Sequence, residues 1–71
     1  MWETILSAPF AKLLELAVED EEGLHALIFP CERTLDGWKH AITGMLVDVR
    51  PTHWRHWIAE DHQSETIHQP N

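Results

Sequence analysis

Apolar residues in the first third of the chain recur at the spacing of an amphipathic helix. They occupy positions i, i+3, i+4 and i+7, and polar side chains lie on the opposite side. The apolar members are Phe10, Leu13, Leu14 and Ala17. This spacing predicts an N-terminal helix over residues 8–21, and Gly23 is a natural residue to follow its last turn.

Short apolar and alternating runs predict three strands after this helix. Asp36-Gly37 and Thr43-Gly44 separate the runs, and Asp-Gly suits the positive φ of a tight hairpin. The first predicted strand covers residues 24–29 and is extended by residues 31–34 beyond Pro30. The other two cover residues 38–42 and 45–50. A rival interpretation makes residues 35–46 a helix, which the two glycines disfavour. The predicted core is a three-stranded antiparallel meander packed against the N-terminal helix.

A second, shorter helix is predicted after Pro51. Trp54, Trp57 and Ile58 would share one face of a helical turn over residues 52–58, and tryptophans of that size are expected to cover the core. Residues 61–71 contain little apolar character and are predicted to be a mobile tail. The sequence therefore predicts one α+β domain over residues 1–60.

The cysteine content is consistent with a reducing compartment. Among 71 residues Cys31 is the only cysteine, so no disulfide can form within the chain. The N-terminus lacks the pattern of a signal peptide, and no apolar run approaches the roughly 20 residues of a membrane span. We expect a cytoplasmic protein of a bacterial host cell, with no membrane partner.

The charge balance bears on the partner. Twelve acidic residues oppose five basic ones, a net charge of −7, which disfavours direct binding to nucleic acid. It favours a partner with a basic surface. Four consecutive acids at residues 19–22 would end the predicted helix, where each exposed acid costs about 0.3–1 kcal/mol against the helix dipole. Such a conflict indicates either a binding site or merely a solvated helix end.

Catalytic and metal chemistry have weak support in the sequence. His53 and His56, or Cys31 with His40, are conceivable zinc ligands, yet no established metal or nucleotide motif is present. Cys31 lacks the surroundings of an activated thiolate. We therefore expect no enzyme activity, no metal and no cofactor.

The arginines have two interpretations. They could converge to bind an anion, or they could pair with acids on neighbouring strands, which is the favoured interpretation. The arginines concerned are Arg33, Arg50 and Arg55, and the expected acids are Glu32, Asp36 and Asp48.

About 30 residues carry a resemblance to known sequences. The segment Phe29-Pro30-Cys31-Glu32-Arg33, followed by Asp36-Gly37-Trp38, Ala41, Thr43-Gly44 and residues 47–55 (VDVRPTHWR), resembles small bacterial and prophage-type proteins. That resemblance implies no activity and no site residues. By size and acidity alone the chain also resembles anti-CRISPR proteins, several of which are similar to DNA in their charge pattern.

These observations predict a small acidic non-enzymatic inhibitor that binds a basic, nucleic-acid-binding surface, such as that of a CRISPR effector complex. The alternative is a structural or interaction module, including a homodimer without an inhibitory role. The predicted partner-binding residues are Glu15, Glu19, Asp20, Glu21, Glu22, Glu32, Asp36 and Asp48.

Overall fold

The computed structural model describes residues 1–58 and consists mostly of antiparallel sheet. This overturns the predicted arrangement of a helix on a three-stranded meander. In chain order, the described elements are β1 (Glu3–Thr4), a 3₁₀ helix (Ile5–Ser7), β2 (Leu14–Asp20), β3 (Gly23–Ala26), β4 (Cys31–Thr34), β5 (Gly37–His40), β6 (Leu46–Val47) and β7 (His53–His56). The predicted domain boundary at residue 60 and the predicted 61–71 tail lie outside the described residues.

Strand β2 is the centre of the sheet. It pairs with β7 on one side and with both β3 and β4 on the other. Strands β5 and β6 continue outward from β4, while β1 lies beyond β7. Strands β2 to β6 therefore form a meander, and β7 returns to pair with its first strand.

The helix predicted over residues 8–21 is wrong. Leu14 and Leu16 are both fully buried, and a single half-buried residue separates them, which is the two-residue period of a strand. Phe10, which the helical stripe would bury, is 49% exposed. Ala11 has a φ of 59°, a left-handed conformation that a continuous helix does not contain.

The helix predicted over residues 52–58 is also wrong. Its middle forms β7, which pairs with β2 over four residues. Trp54 is buried at 7% exposure, and its indole Nε1 donates a hydrogen bond to Ser7 Oγ at 3.0 Å. Trp57 is only half-buried, so the two tryptophans do not cover the core together. Residues three apart in an extended chain face opposite sides, unlike those in a helix.

The predicted strands are present only in part. The Asp36-Gly37 hairpin joins β4 to β5, but the first predicted strand is divided between β3 and β4. Leu27 donates its N–H to Leu16 O, and Cys31 is the partner of Leu14. Leu27 and Cys31 are four residues apart, whereas their partners Leu16 and Leu14 are only two apart. Residues 28–30 therefore bulge out of the ladder. Strand β6 covers only two of the residues predicted over 45–50.

The buried core of the described residues is small. Its members are Ala8, Leu14, Leu16, Ala17, Cys31 and Trp54. Trp38, Val47 and Val49 pack against it from the β5–β6 side. No helix within residues 1–58 has the length and apolar character needed to cross a membrane.

Candidate functional site

The sheet distributes the predicted partner-binding acids over three places. Four of them lie at the β2–β3 turn, two face neighbouring strands within the sheet, and two lie near Trp38. In that order they are Glu19, Asp20, Glu21 and Glu22; then Glu15 and Glu32; then Asp36 and Asp48. Glu15 and residues 19–22 were expected on one helix, but they belong to a strand and its turn.

The four acids at the β2–β3 turn, residues 19–22, form what we call the acidic hairpin. Glu21 and Glu22 are its two-residue loop, because Asp20 is the partner of Gly23 in the ladder. The Asp20 carboxylate accepts a hydrogen bond from the Glu22 N–H at 2.8 Å, which holds the loop closed. Gly23 follows with a φ of 126°, a conformation that other residues rarely adopt. All four acidic side chains are exposed.

The base of the acidic hairpin is tied to the segment before β7. The Glu19 N–H donates a hydrogen bond to Thr52 Oγ1 at 2.9 Å. The Thr52 N–H in turn donates to Ala17 O at 2.9 Å. These bonds fix the start of the turn to the sheet, so the loop projects from a supported base.

The charge of the acidic hairpin is poorly compensated. Within residues 1–58, no lysine or arginine forms an ion pair with these four carboxylates. The hydrogen bond from the Glu22 N–H lowers the pKa of Asp20 below its ordinary value of 3.8, and His25, whose Nε2 lies 3.0 Å from Asp20 Oδ1, lowers it further. Asp20 is therefore ionised across the physiological range.

Glu15 and Glu32 differ from these four because each has a cationic partner. Arg55 Nε donates a hydrogen bond to Glu15 Oε1 at 2.7 Å, and the two residues are partners in the β2–β7 ladder. Lys39 Nζ lies 3.4 Å from Glu32 Oε1 across the β4–β5 hairpin. Their charges serve cross-strand pairing.

The remaining two predicted acids lie beside a groove at the β4–β5 turn. Two recesses lie here, and Gly37, Trp38 and Val49 line both of them. One recess, of about 380 Å³, is also lined by Asp36 and Asp48. The other, of about 410 Å³, is lined by residues that include Leu6, Arg33, Leu35, Arg50 and Pro51. We call the two recesses together the Trp38 groove.

The arginines do not have the partners expected from the sequence. Arg33 donates from Nη1 to Ala8 O at 2.7 Å, and its guanidinium lies 4.7 Å from the centre of the Phe10 ring. Arg55 pairs with Glu15 and lies 4.2 Å from the Trp2 ring centre. Arg50 is exposed, and no ion pair joins it to a carboxylate in the described part of the chain. Arg33 and Arg50 instead share one recess of the Trp38 groove.

Cys31 is unsuited to chemistry at neutral pH. It is fully buried, and burial raises the pKa of its thiol to about 11. His40 is its partner across the β4–β5 ladder, but the imidazole stacks on Phe29 at 4.2 Å and its Nδ1 accepts a hydrogen bond from the Ile42 N–H. Over residues 1–58, no three side chains of the metal-binding types converge.

Sequence reasoning missed the Trp38 groove entirely. The groove is assembled from the 3₁₀ helix, the β4–β5 turn and the segment after β6, which are far apart in the chain. The one local signal of a binding surface was Leu35, because turns favour polar residues and glycine. Leu35 is 94% exposed, so its side chain gains little from packing within the fold.

The chain matches no protein-family model, and no curated protein or solved structure is significantly similar to it. The resemblances to prophage-type proteins and to anti-CRISPR proteins stay predictions.

Proposed function

We propose that this chain is a small non-enzymatic binding domain whose acidic hairpin docks onto a basic surface of a partner protein and blocks it. The observation that supports this proposal is that some acids of the chain have a cationic partner and others do not. The four carboxylates of the acidic hairpin are exposed without a lysine or arginine partner in residues 1–58, whereas Glu15 and Glu32 are neutralised in the sheet. Charge left exposed at a supported turn is available to another molecule.

The partner class follows from the same charge. Proteins that bind nucleic acid line their grooves with lysine and arginine to neutralise phosphates. A short run of fixed carboxylates competes for those cations, so the hairpin would act as a stand-in for phosphates. CRISPR effector complexes are one such partner, and the setting we propose is the bacterial cytoplasm. The shortage of lysine and arginine in this chain disfavours direct nucleic-acid binding.

The test compares two variants that have the same net charge. In one, Glu19→Lys, Glu21→Lys and Glu22→Lys reverse the acidic hairpin; in the other, Glu3→Lys, Glu60→Lys and Asp61→Lys reverse three acids elsewhere in the sequence. Both are used with wild type to capture proteins from bacterial lysate that contains CRISPR effector complexes. The affinity of each captured protein is then measured by interferometry.

We expect the hairpin variant to lose affinity for a captured nucleic-acid-binding protein on the order of 100-fold at low salt, because three favourable charge contacts become repulsive. The matched variant should retain most of the affinity. The complex of wild type should weaken as salt is added and as duplex DNA competes. Equal binding by the two variants, or no capture by wild type, would contradict the proposal.

Self-association is the second candidate function, and one observation favours it. Strand β6 is at the edge of the sheet in the described residues. Its first residue, Leu46, is 65% exposed, and Met45 just before it is 67% exposed. Exposed strand edges with apolar side chains are prone to pair with a second copy. Light scattering separates the two candidates, because a dimer has twice the 8.3 kDa mass of the chain.

A further inference from the structure

We infer that the Trp38 groove is a second binding site, which takes an extended peptide segment of a partner protein that carries an acidic side chain on one side of an apolar residue and a basic side chain on the other. This site does not depend on the acidic hairpin and lies at the other end of the sheet. Ala26 pairs with Ala17 and Cys31 pairs with Leu14, so β3 and β4 lie one after the other along β2. The acidic hairpin is the turn beyond one end of this line, and the β4–β5 turn is the one beyond the other end.

The division of the groove indicates an extended occupant. Trp38, Gly37 and Val49 form a wall common to two recesses of similar volume, about 380 and 410 Å³. Side chains at positions i, i+2 and i+4 of an extended chain lie on the same side, about 6.6 Å from one to the next. Such a chain would place the side chains at i and i+4 in the two recesses and an apolar side chain at i+2 against the indole of Trp38. Extended peptides are commonly recognised by aromatic-lined grooves and by sheet edges, and β6 is both an edge and part of this lining.

The charges of the two recesses specify the occupant. Arg33 and Arg50 line one recess, and Asp36 and Asp48 line the other. Two of only five basic residues in the chain are thus placed together in a protein of net charge −7. Arg33 uses Nη1 for Ala8 O, which leaves donors of its planar guanidinium for a carboxylate. A peptide with an acid and a base on opposite sides of Trp38 would complement both recesses.

The apolar rim of the groove stays exposed in the folded chain. Leu6 and Leu35 line the arginine recess and are 86% and 94% exposed. Leu46 lines the aspartate recess and is 65% exposed. Exposed apolar side chains that flank a charged recess are typical of protein-interaction sites, since they exclude water from polar contacts once a partner covers them.

The test is a selection from a phage-displayed library of random octapeptides. It is performed on wild type and on the variant with Glu19→Gln, Glu21→Gln and Glu22→Gln. Peptides that bind the acidic hairpin should be enriched on wild type but not on this variant. We expect enrichment, on both proteins, of peptides with an acidic and a basic residue on either side of an apolar one. Peptides synthesised from the enriched set are then titrated by fluorescence polarisation.

Single substitutions map the enriched peptides to the groove. Arg50→Gln and Asp48→Asn should each weaken binding by roughly tenfold, because each removes one charge-assisted contact. Leu35→Ser should weaken it, and Ile42→Ser, a matched exposed turn residue at 75% exposure outside the groove, should not. Each substituted side chain is exposed, so the fold is expected to survive, and amide NMR spectra check this.

Several outcomes overturn the inference. Enrichment of no peptide on either protein does so, as does equal affinity of the enriched peptides for wild type, Arg50→Gln and Leu35→Ser. A doubled mass in light scattering that Leu35→Ser returns to monomer would assign the groove to a second copy of the chain. Enrichment of basic peptides that bind wild type only would support the acidic hairpin while overturning the groove.

Discussion

The two turns at opposite ends of this sheet share a backbone design and differ in what they display. Asp20 and Thr34 precede them, and each side chain accepts a hydrogen bond from the N–H two residues further along, at 2.8 and 3.1 Å. Gly23 and Gly37 follow them with φ values of 126° and 128°. In both turns, a polar residue before the loop and a glycine after it determine the conformation.

The loop residues between those positions are consequently free for other purposes. Glu21 and Glu22 make one loop a concentration of negative charge, whereas Leu35 and Asp36 place an apolar side chain and one acid beside the Trp38 groove. Because the same turn forms with such different loops, folding does not dictate their side chains. Their chemistry is therefore free to serve the two kinds of partner that we propose.

Leu16→Ala gives the largest expected effect and tests whether the two ends depend on one core. Leu16 is fully buried in β2, so its truncation should reduce the free energy of unfolding by about 2–5 kcal/mol. Urea unfolding followed by amide NMR should then show the acidic hairpin and the Trp38 groove lost at the same lowered midpoint. Separate midpoints for the two ends would refute a common core. Leu35→Ala, at an exposed turn position, should change stability by less than about 0.5 kcal/mol.

The part of the fold that could be predicted is the part determined locally. Asp36-Gly37 specified the β4–β5 hairpin through the conformational needs of its turn. The region around Leu14 and Ala17 was ambiguous, because both residues satisfy a helical spacing while Leu14 and Leu16 satisfy a strand spacing. Pairing with β7, about 40 residues further along, favours the strand by burying both leucines. No local pattern contains that information.

Arg55→Ala has an intermediate expected effect and sharpens the contrast between paired and unpaired acids. It removes the 2.7 Å bond to Glu15 and the guanidinium that lies 4.2 Å from the Trp2 ring centre. We expect a loss of about 1–2 kcal/mol in the free energy of unfolding, measured by urea titration. Arg55→Lys should restore only part of it, since lysine lacks the planar fork.

A double-mutant cycle supplies the control for this pair. If Glu15 is truly neutralised by Arg55, the effects of Glu15→Gln and Arg55→Ala should combine to less than their sum. Fully additive effects would mean that the pair contributes nothing, and Glu15 would then belong with the acidic hairpin as free charge. Affinity for the partner of the hairpin should be little changed by Glu15→Gln.

The predictable parts of the candidate site are those determined by composition or by a local turn. Four consecutive acids cannot be buried together, so the exposure of residues 19–22 was secure even though their helix was wrong. The pairing of Glu32 with Lys39 follows from the register of the Asp36-Gly37 hairpin once that turn is accepted. The pairing of Glu15 with Arg55 requires the long-range β2–β7 register, and the Trp38 groove requires three separate segments.

Asp20→Asn has the smallest expected effect and tests whether the acidic hairpin is held by its own charge. The Glu22 N–H, and then His25, hold the pKa of Asp20 below its ordinary value of 3.8 in the folded protein. A carboxyl with a lowered folded pKa binds protons less readily than in the unfolded chain, so its ionised form stabilises the fold. That contribution to stability is fully present at pH values above the ordinary pKa of 3.8, and it is lost as the pH falls through the lower pKa of the folded protein.

Wild type should therefore be slightly more stable than Asp20→Asn at neutral pH. The difference should shrink as the pH falls below 3.8 and vanish once the pH is below the lowered folded pKa, where the carboxyl is protonated. Urea midpoints at a series of pH values measure this difference. Glu21→Gln also removes one negative charge from the acidic hairpin but leaves the hydrogen bond between the Glu22 N–H and Asp20 in place, so it distinguishes this bond from general charge repulsion. His25→Ala should reduce the effect only in part, because the backbone bond is the larger cause. If the stability difference between wild type and Asp20→Asn persists unchanged at acidic pH, the Asp20 side chain holds the turn by its shape and not by its charge. The acidic hairpin would then resemble the β4–β5 turn, which the neutral hydroxyl of Thr34 closes.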